Sequence, residues 1–245
     1  MAEKKERKIS HKIYFNDRLK QVDFHGVSTH PLYIQVTYER KSIFFKSYYF
    51  TLFGKSKFRL KIPGVGEKGP AIKNIIEKET ELINHIIAES KQVFSLEAFK
   101  KDYDAYSTDL CDILEEGFID YLYTFFWDEG LPAIGDLCKY GHSELQAYDL
   151  VRDFKRSLKP ELYKSLIDNS VHYAPPYFQI YGYMESIRRW PMVILTAMEM
   201  QDAKIVNGFQ TYLGKHYLHE QAKQITEELN HWLKSRGLKP LDEVA

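Results

Sequence analysis

The hydrophobic period changes once along this chain, at a cluster of glycines and prolines within residues 63–70. Upstream of it, Leu32, Ile34, Val36 and Tyr38 alternate with Tyr33, Gln35 and Thr37. That two-residue period marks a strand with one buried face. The run from Ser42 to Phe53 continues in Phe, Tyr, Ile and Thr, which favour strands. Only Glu39, Arg40 and Lys41 separate the two runs. A connection that short predicts an antiparallel hairpin, with no Asn-Gly or Asp-Gly pair to specify the turn type. Residues 1–12 read as a flexible arm, and Lys12–Phe15 as a further short strand. Downstream, Ile72, Ile75, Ile76, Leu82, Ile83, Ile86 and Ile87 recur at helical spacing. Strands first and helices afterwards predicts an α+β protein: a small N-terminal antiparallel β-sheet followed by a mainly α-helical domain. The expected units are a basic β-ribbon domain, residues 1–68, and a helical domain, residues 70–245.

Within the helical part, Ser95 is placed to cap a short helix over LEAFKKDYDAY. Leu110, Ile113, Leu114, Phe118, Tyr121, Leu122, Phe125 and Phe126 then form one wide stripe, ended by Gly130 and Pro132. Helical patterns resume over residues 145–158, 161–167, 182–200 and 215–235. Pro160 suits the first position of its helix, and Pro191 kinks or starts the helix in which it falls.

Forty-four per cent hydrophobic and 28% charged residues are compatible with a packed core and argue against wholesale disorder. No apolar run approaches the ~20 residues of a membrane span, and the charged N-terminus has no apolar stretch of the secretory kind. Cys111 and Cys138 have no partner-like spacing, which predicts buried thiols in a reducing compartment, a cytoplasm. The net charge of zero is a sum of opposites. Residues 1–75 hold 16 basic and 6 acidic groups, so the other 170 hold 34 − 16 = 18 basic and 34 − 6 = 28 acidic. A basic end of this kind is suited to a polyanion.

A β-ribbon fits the DNA major groove, and its outward side chains reach base edges. On the first strand the outward residues are Tyr33, Gln35 and Thr37. Gln pairs with adenine, and the Thr methyl meets that of thymine. Arg40, Lys41 and Lys46 are candidates to hold phosphates, with Lys55, Lys57, Arg59 and Lys61 behind them. The same pattern also suits a solvated sheet face with lysines guarding an edge. Tyr48, Tyr49 and Phe50 equally suit stacking on unpaired bases or a protein partner. Which parity of the second strand faces outward is open, because both carry aromatics.

PLYIQVTYERKSIFFKSYYFTL, a linker, an Ile-rich helix and then VFSLEAFKK together resemble the N-terminal part of tyrosine integrases from Bacteroidetes mobile elements, over roughly residues 12–101. The resemblance implies an arm-type DNA-binding domain, a three-stranded sheet packed on a helix, followed by a helical core-binding domain. It does not extend to the chemistry. A recombinase needs cations on the phosphate oxygens, including a His-x-x-Arg box, and a tyrosine nucleophile. None of the nine histidines is followed three residues later by Arg, and nothing nominates one of the 18 tyrosines.

Other constellations are weaker. His216 and Glu220 are four apart, but no third ligand stands near them, so a solvated helix face is expected rather than a metal site. Acid doublets such as Glu115-Glu116 point in different directions on a helix. Gly64-Val65-Gly66 with Lys68-Gly69 lacks P-loop spacing and reads as linker. Tyr177, Tyr181, Arg188, Arg189 and Trp190 lie in a tyrosine- and arginine-rich segment suited to a partner surface or self-association into a homo-oligomer. The expectation is a non-catalytic DNA-binding accessory protein of a bacterial mobile element or phage. No cofactor or metal is expected; the ribbon meets duplex DNA, and the acidic helical body recruits a protein partner. The alternative is a structural or interaction component of a phage or defence assembly, whose ribbon extends another chain's sheet.

Overall fold

The computed structural model describes residues 8–62, 66–90, 94–141, 145–187, 189 and 194–244. The chain divides into two compact units, Met1–Ser107 and Thr108–Ala245.

The first unit is built on a three-stranded antiparallel sheet: β1 (Ser10–Phe15), β4 (Leu32–Tyr38) and β5 (Lys41–Lys46), with β4 in the centre. The alternation in β4 is borne out: Leu32, Ile34 and Val36 are fully buried, and the residues between them are half-buried. Tyr38 pairs with Lys41, so the turn has only two central residues, Glu39 and Arg40. Both lie in the left-handed region, at φ 51° and 65°. That conformation matches the twist of a hairpin and usually recruits Asn-Gly. With ordinary side chains it costs about 1–2 kcal/mol per residue, here offset by the flanking sheet. A second hairpin, β2 (Val22–Phe24) and β3 (Val27–Thr29), turns through His25 and Gly26, again at positive φ.

The expected strand over Ser42–Phe53 ends early. After Lys46 the chain becomes a short helix, α1 (Tyr48–Phe53), whose first turn is capped by the Ser47 hydroxyl accepting from Phe50 N. Its buried residues are Tyr49, Phe50, Leu52 and Phe53. That spacing is helical; a strand would have buried 49, 51 and 53. Phe24 stacks on Phe50 with ring centroids 4.7 Å apart. A small ladder, β6 (Leu60–Ile62) with β7 (Gly66–Lys68), leads to α2 (Ile72–Glu89) and then α3 (Leu96–Ser107).

Ile75, Leu82, Ile83 and Ile86 of α2 are fully buried. On α3, Phe99 and Tyr103 stand one turn apart and meet Phe45 on the inner face of β5, Tyr103 at 4.7 Å between centroids. The sheet's apolar face is thus covered by α2 and α3, with α1 packed against α2. That is why the first unit runs to Ser107, past the glycine- and proline-rich stretch where the sequence placed the boundary. The fold class is α+β as expected, a small N-terminal antiparallel sheet followed by helices. Among the described residues no helix is long and apolar enough to cross a membrane.

The second unit is helical. Its elements are α4 (Leu110–Asp128), α5 (Pro132–Gly141), α6 (Ala147–Ser157), α7 (Pro160–Tyr173), α8 (Tyr177–Ser186), α9 (Ala203–His216), α10 (His219–Ser235) and α11 (Leu241–Val244). Asp109 caps α4 by accepting from Asp112 N, and its other oxygen accepts from Leu195 N at 2.9 Å. Gly130, at φ 73°, lets the chain double back into α5. Pro160 takes the first position of α7 as expected.

Two helical expectations fail here. The pattern over residues 182–200 is not one helix: α8 ends at Ser186, Met200 lies in a separate 3-10 turn (Glu199–Gln201), and Pro191 is outside the described residues. The pattern over residues 215–235 spans a break at Tyr217-Leu218, so His216 closes α9 while Glu220 opens α10 and the two share no helix face. Cys111 and Cys138 are buried and, among the described residues, in no disulfide, and burial pushes the Cys138 thiol up to about 12.

Candidate nucleic-acid interface

The strand register fixes what the sheet's outer face presents. Opposite Thr37 stand Ser10 and Ser42; opposite Gln35 stand Lys12 and Phe44; opposite Tyr33 stand Tyr14 and Lys46. These nine positions form a three-by-three grid with no carboxylate in it. Outer strands flanking a central one have axes ~10 Å apart, close to the ~12 Å width of the major groove.

Local contacts order the grid. The Thr37 and Ser42 hydroxyls are 2.7 Å apart, and the Gln35 amide reaches both at 3.4 Å. Tyr14 and Tyr33 rings lie 6.5 Å apart, and the Lys12 ammonium sits 5.5 Å above the Tyr14 ring. Phe44 is 58% exposed in the middle row, an apolar ring held out from the sheet.

Beneath the grid, a buried carboxylate anchors the end of β5. Ser47, next after Lys46, donates its N–H to Leu32 O at 2.9 Å and its hydroxyl to Glu79 at 2.5 Å. Glu79 occupies a core position of α2 and is fully buried. It also accepts from Tyr49 N at 3.2 Å and from the Tyr103 hydroxyl at 2.9 Å, and that hydroxyl in turn accepts from Tyr48 N. Burial pushes the Glu79 carboxyl up to about 7, against the hydrogen bonds, which favour its charged form. Burial, and then the charge of Glu79, raises the Tyr103 phenol well above its ordinary value.

The structure brings Tyr33, Gln35, Thr37 and Lys46 onto one surface and places Arg40 at the hairpin tip. Lys41 has the parity of Ile43 and Phe45, the core side of β5, and is exposed only because it stands at the strand's end. Lys55, Lys57 and Arg59 belong to the segment after α1 rather than to the ribbon. There Arg59 pairs with Asp23 at 2.7 Å, and Lys57 lies 5.7 Å from the Phe58 ring centroid. The Lys61 side chain lies outside the described structure.

Three surface residues were missed by the sequence: Lys12, Tyr14 and Phe44. The signal for the first two was β1 itself, once paired with β4. For Phe44 it was the loop length, since a two-residue turn sets Ser42 opposite Thr37 and hence Phe44 outward.

The expected partner surface on the second unit is corrected. Tyr177 and Tyr181 are core residues, 1% and 8% exposed. The Tyr177 hydroxyl donates to Glu115 at 3.0 Å and accepts from Tyr148 N at 3.2 Å, and the Tyr181 ring stacks on Tyr148 at 4.5 Å. The cause is that α8 begins at Tyr177 directly after Pro176, so these tyrosines project into the unit instead of decorating a loop. Arg189 is tied to Glu199 and Ile194 O, each at 2.7 Å. Arg188 and Trp190 lie outside the described residues. No protein-family model matches the chain, and no curated protein or solved structure matches it.

Proposed function

We propose that the first unit binds duplex DNA through the outer face of β1, β4 and β5, as a non-catalytic accessory protein of the kind the integrase resemblance implies for a mobile element or phage. The observation that carries this reading is the grid itself: Lys12 on the β1 edge and Lys46 on the β5 edge, polar and aromatic side chains between them, and no acid. Lys12, Lys46 and Arg40 neutralise backbone phosphates; Gln35, Thr37 and Phe44 face the base edges. The second unit lies in the acidic part of the chain, which suits it to recruiting a protein partner rather than to touching DNA.

Fluorescence anisotropy with a short duplex over a salt series tests the reading. Three phosphate contacts give a slope of log affinity against log salt of about −3. A flat salt response, or no binding at low salt, contradicts it. A second reading has one observation in its favour: among the described residues β1 and β5 are each paired only with β4, so both edges can accept a strand from another chain. A partner that remains bound in a pull-down after nuclease treatment, together with no duplex binding, favours that reading.

A further inference from the structure

The middle row of the outer face has a composition that selects among bases. Lys12, Gln35 and Phe44 stand side by side across β1, β4 and β5. Phe44 is the apolar member and keeps 58% of its surface in solvent although ordinary sheet packing gives it nothing to cover. In the major groove, the apolar feature that a base pair offers is the thymine C5 methyl, and the group that matches a glutamine amide is the N6/N7 edge of adenine. Among the described residues Gln35 is held by contacts of 3.4 Å to Thr37 and Ser42, at the outer limit of hydrogen bonding, and exchanges them readily for a base edge. We infer that Phe44 and Gln35 are specificity-determining residues that read A·T pairs, Phe44 through the thymine methyl and Gln35 through adenine.

The inference rests on the duplex reading above and extends it. Stacking on unpaired bases is less well served by this face, because successive bases need successive free ring faces. Tyr33 is half-buried against Tyr14, and the Lys12 ammonium sits over the Tyr14 ring, which leaves Phe44 as the one well-exposed ring of the grid.

The test starts by selecting bound duplexes from a random library with the full chain, then replaces each thymine of the enriched site by deoxyuridine, which removes only the methyl. One position is expected to weaken about fourfold, the factor equivalent to about 0.8 kcal/mol for one buried methyl-sized group. Phe44→Leu should keep the thymine preference, Phe44→Ala should lose it, and Gln35→Ala should lose roughly tenfold preference for adenine at a neighbouring position. Both positions are outward, so circular dichroism should show unchanged folding. Deoxyuridine bound as tightly as thymine at every position overturns the inference while leaving duplex binding standing. So does a thymine preference that survives in Phe44→Ala, or tighter binding to the single strand than to the duplex. Failure to enrich or bind any duplex overturns the duplex reading itself.

Discussion

Replacing Glu79 by glutamine should abolish a pH dependence that the wild-type first unit carries. Glu79 is fully buried and accepts from Ser47, Tyr49 and Tyr103. Its carboxyl is pushed up to about 7 from an ordinary 4.5, with burial the largest cause. The folded state therefore holds a proton that the unfolded state has already lost between pH 4.5 and 7. Stability falls as pH rises through that window, by 1.36 kcal/mol per unit, and the loss is complete above about pH 7, about 3 kcal/mol in all. Glutamine keeps the shape but does not titrate. The difference in unfolding free energy, wild type minus Glu79→Gln, should drop by about 3 kcal/mol between pH 4.5 and 7.5, and taking the difference cancels every other titrating group. The readout needs care, because Trp127, Trp190 and Trp232 all lie in the second unit and tryptophan fluorescence does not report on the first. Hydrogen exchange of the β4 peptide across a urea series does. A pH-independent difference, or one that grows with pH, would refute the account of Glu79 as a buried, proton-holding acid.

Neighbouring positions of β4 should behave oppositely: Ile34→Ala opens a cavity under the sheet and costs about 2–5 kcal/mol, whereas Gln35→Ala changes stability by under ~0.5 kcal/mol, both by denaturant titration. Equal costs would refute the register. Arg40→Gly relieves a left-handed residue and should raise the first unit's stability by about 1 kcal/mol, while removing one unit from the salt slope of duplex binding. In the second unit, Tyr177→Phe leaves Glu115 and Tyr148 N short of a buried partner and should cost about 1–3 kcal/mol, with thermal melting as the measure.

The sheet was readable because its signal is short-ranged: seven residues of alternation in β4 already specify which side is buried. The end of β5 was not. Residues 42–53 are rich in strand-favouring side chains throughout, and what turns Tyr48–Phe53 into helix is the Ser47 cap and burial against α2, a tertiary cause. Glu79 reads as one more acid on an amphipathic helix until its partners, 24 to 32 residues away, are seen. Tyr177 and Tyr181 misled in the other direction: prolines beside tyrosines suggest a surface loop, but Pro176 here precedes a buried helix. α9 had a usable sequence signal, Asp202 as cap and then Val206, Phe209 and Leu213 at helical spacing.

The proposed DNA contact lies on one face of one sheet, and charge reversal on that face tests it most directly. Lys12→Glu with Lys46→Glu should lower affinity for the selected duplex at least ~100-fold and remove about two units from the salt slope. Lys159→Glu with Lys234→Glu, the same charge change at exposed positions of the second unit, should leave the slope unaltered. If both double variants weaken binding alike, or neither does, DNA does not bind at the face formed by Lys12, Gln35, Phe44 and Lys46.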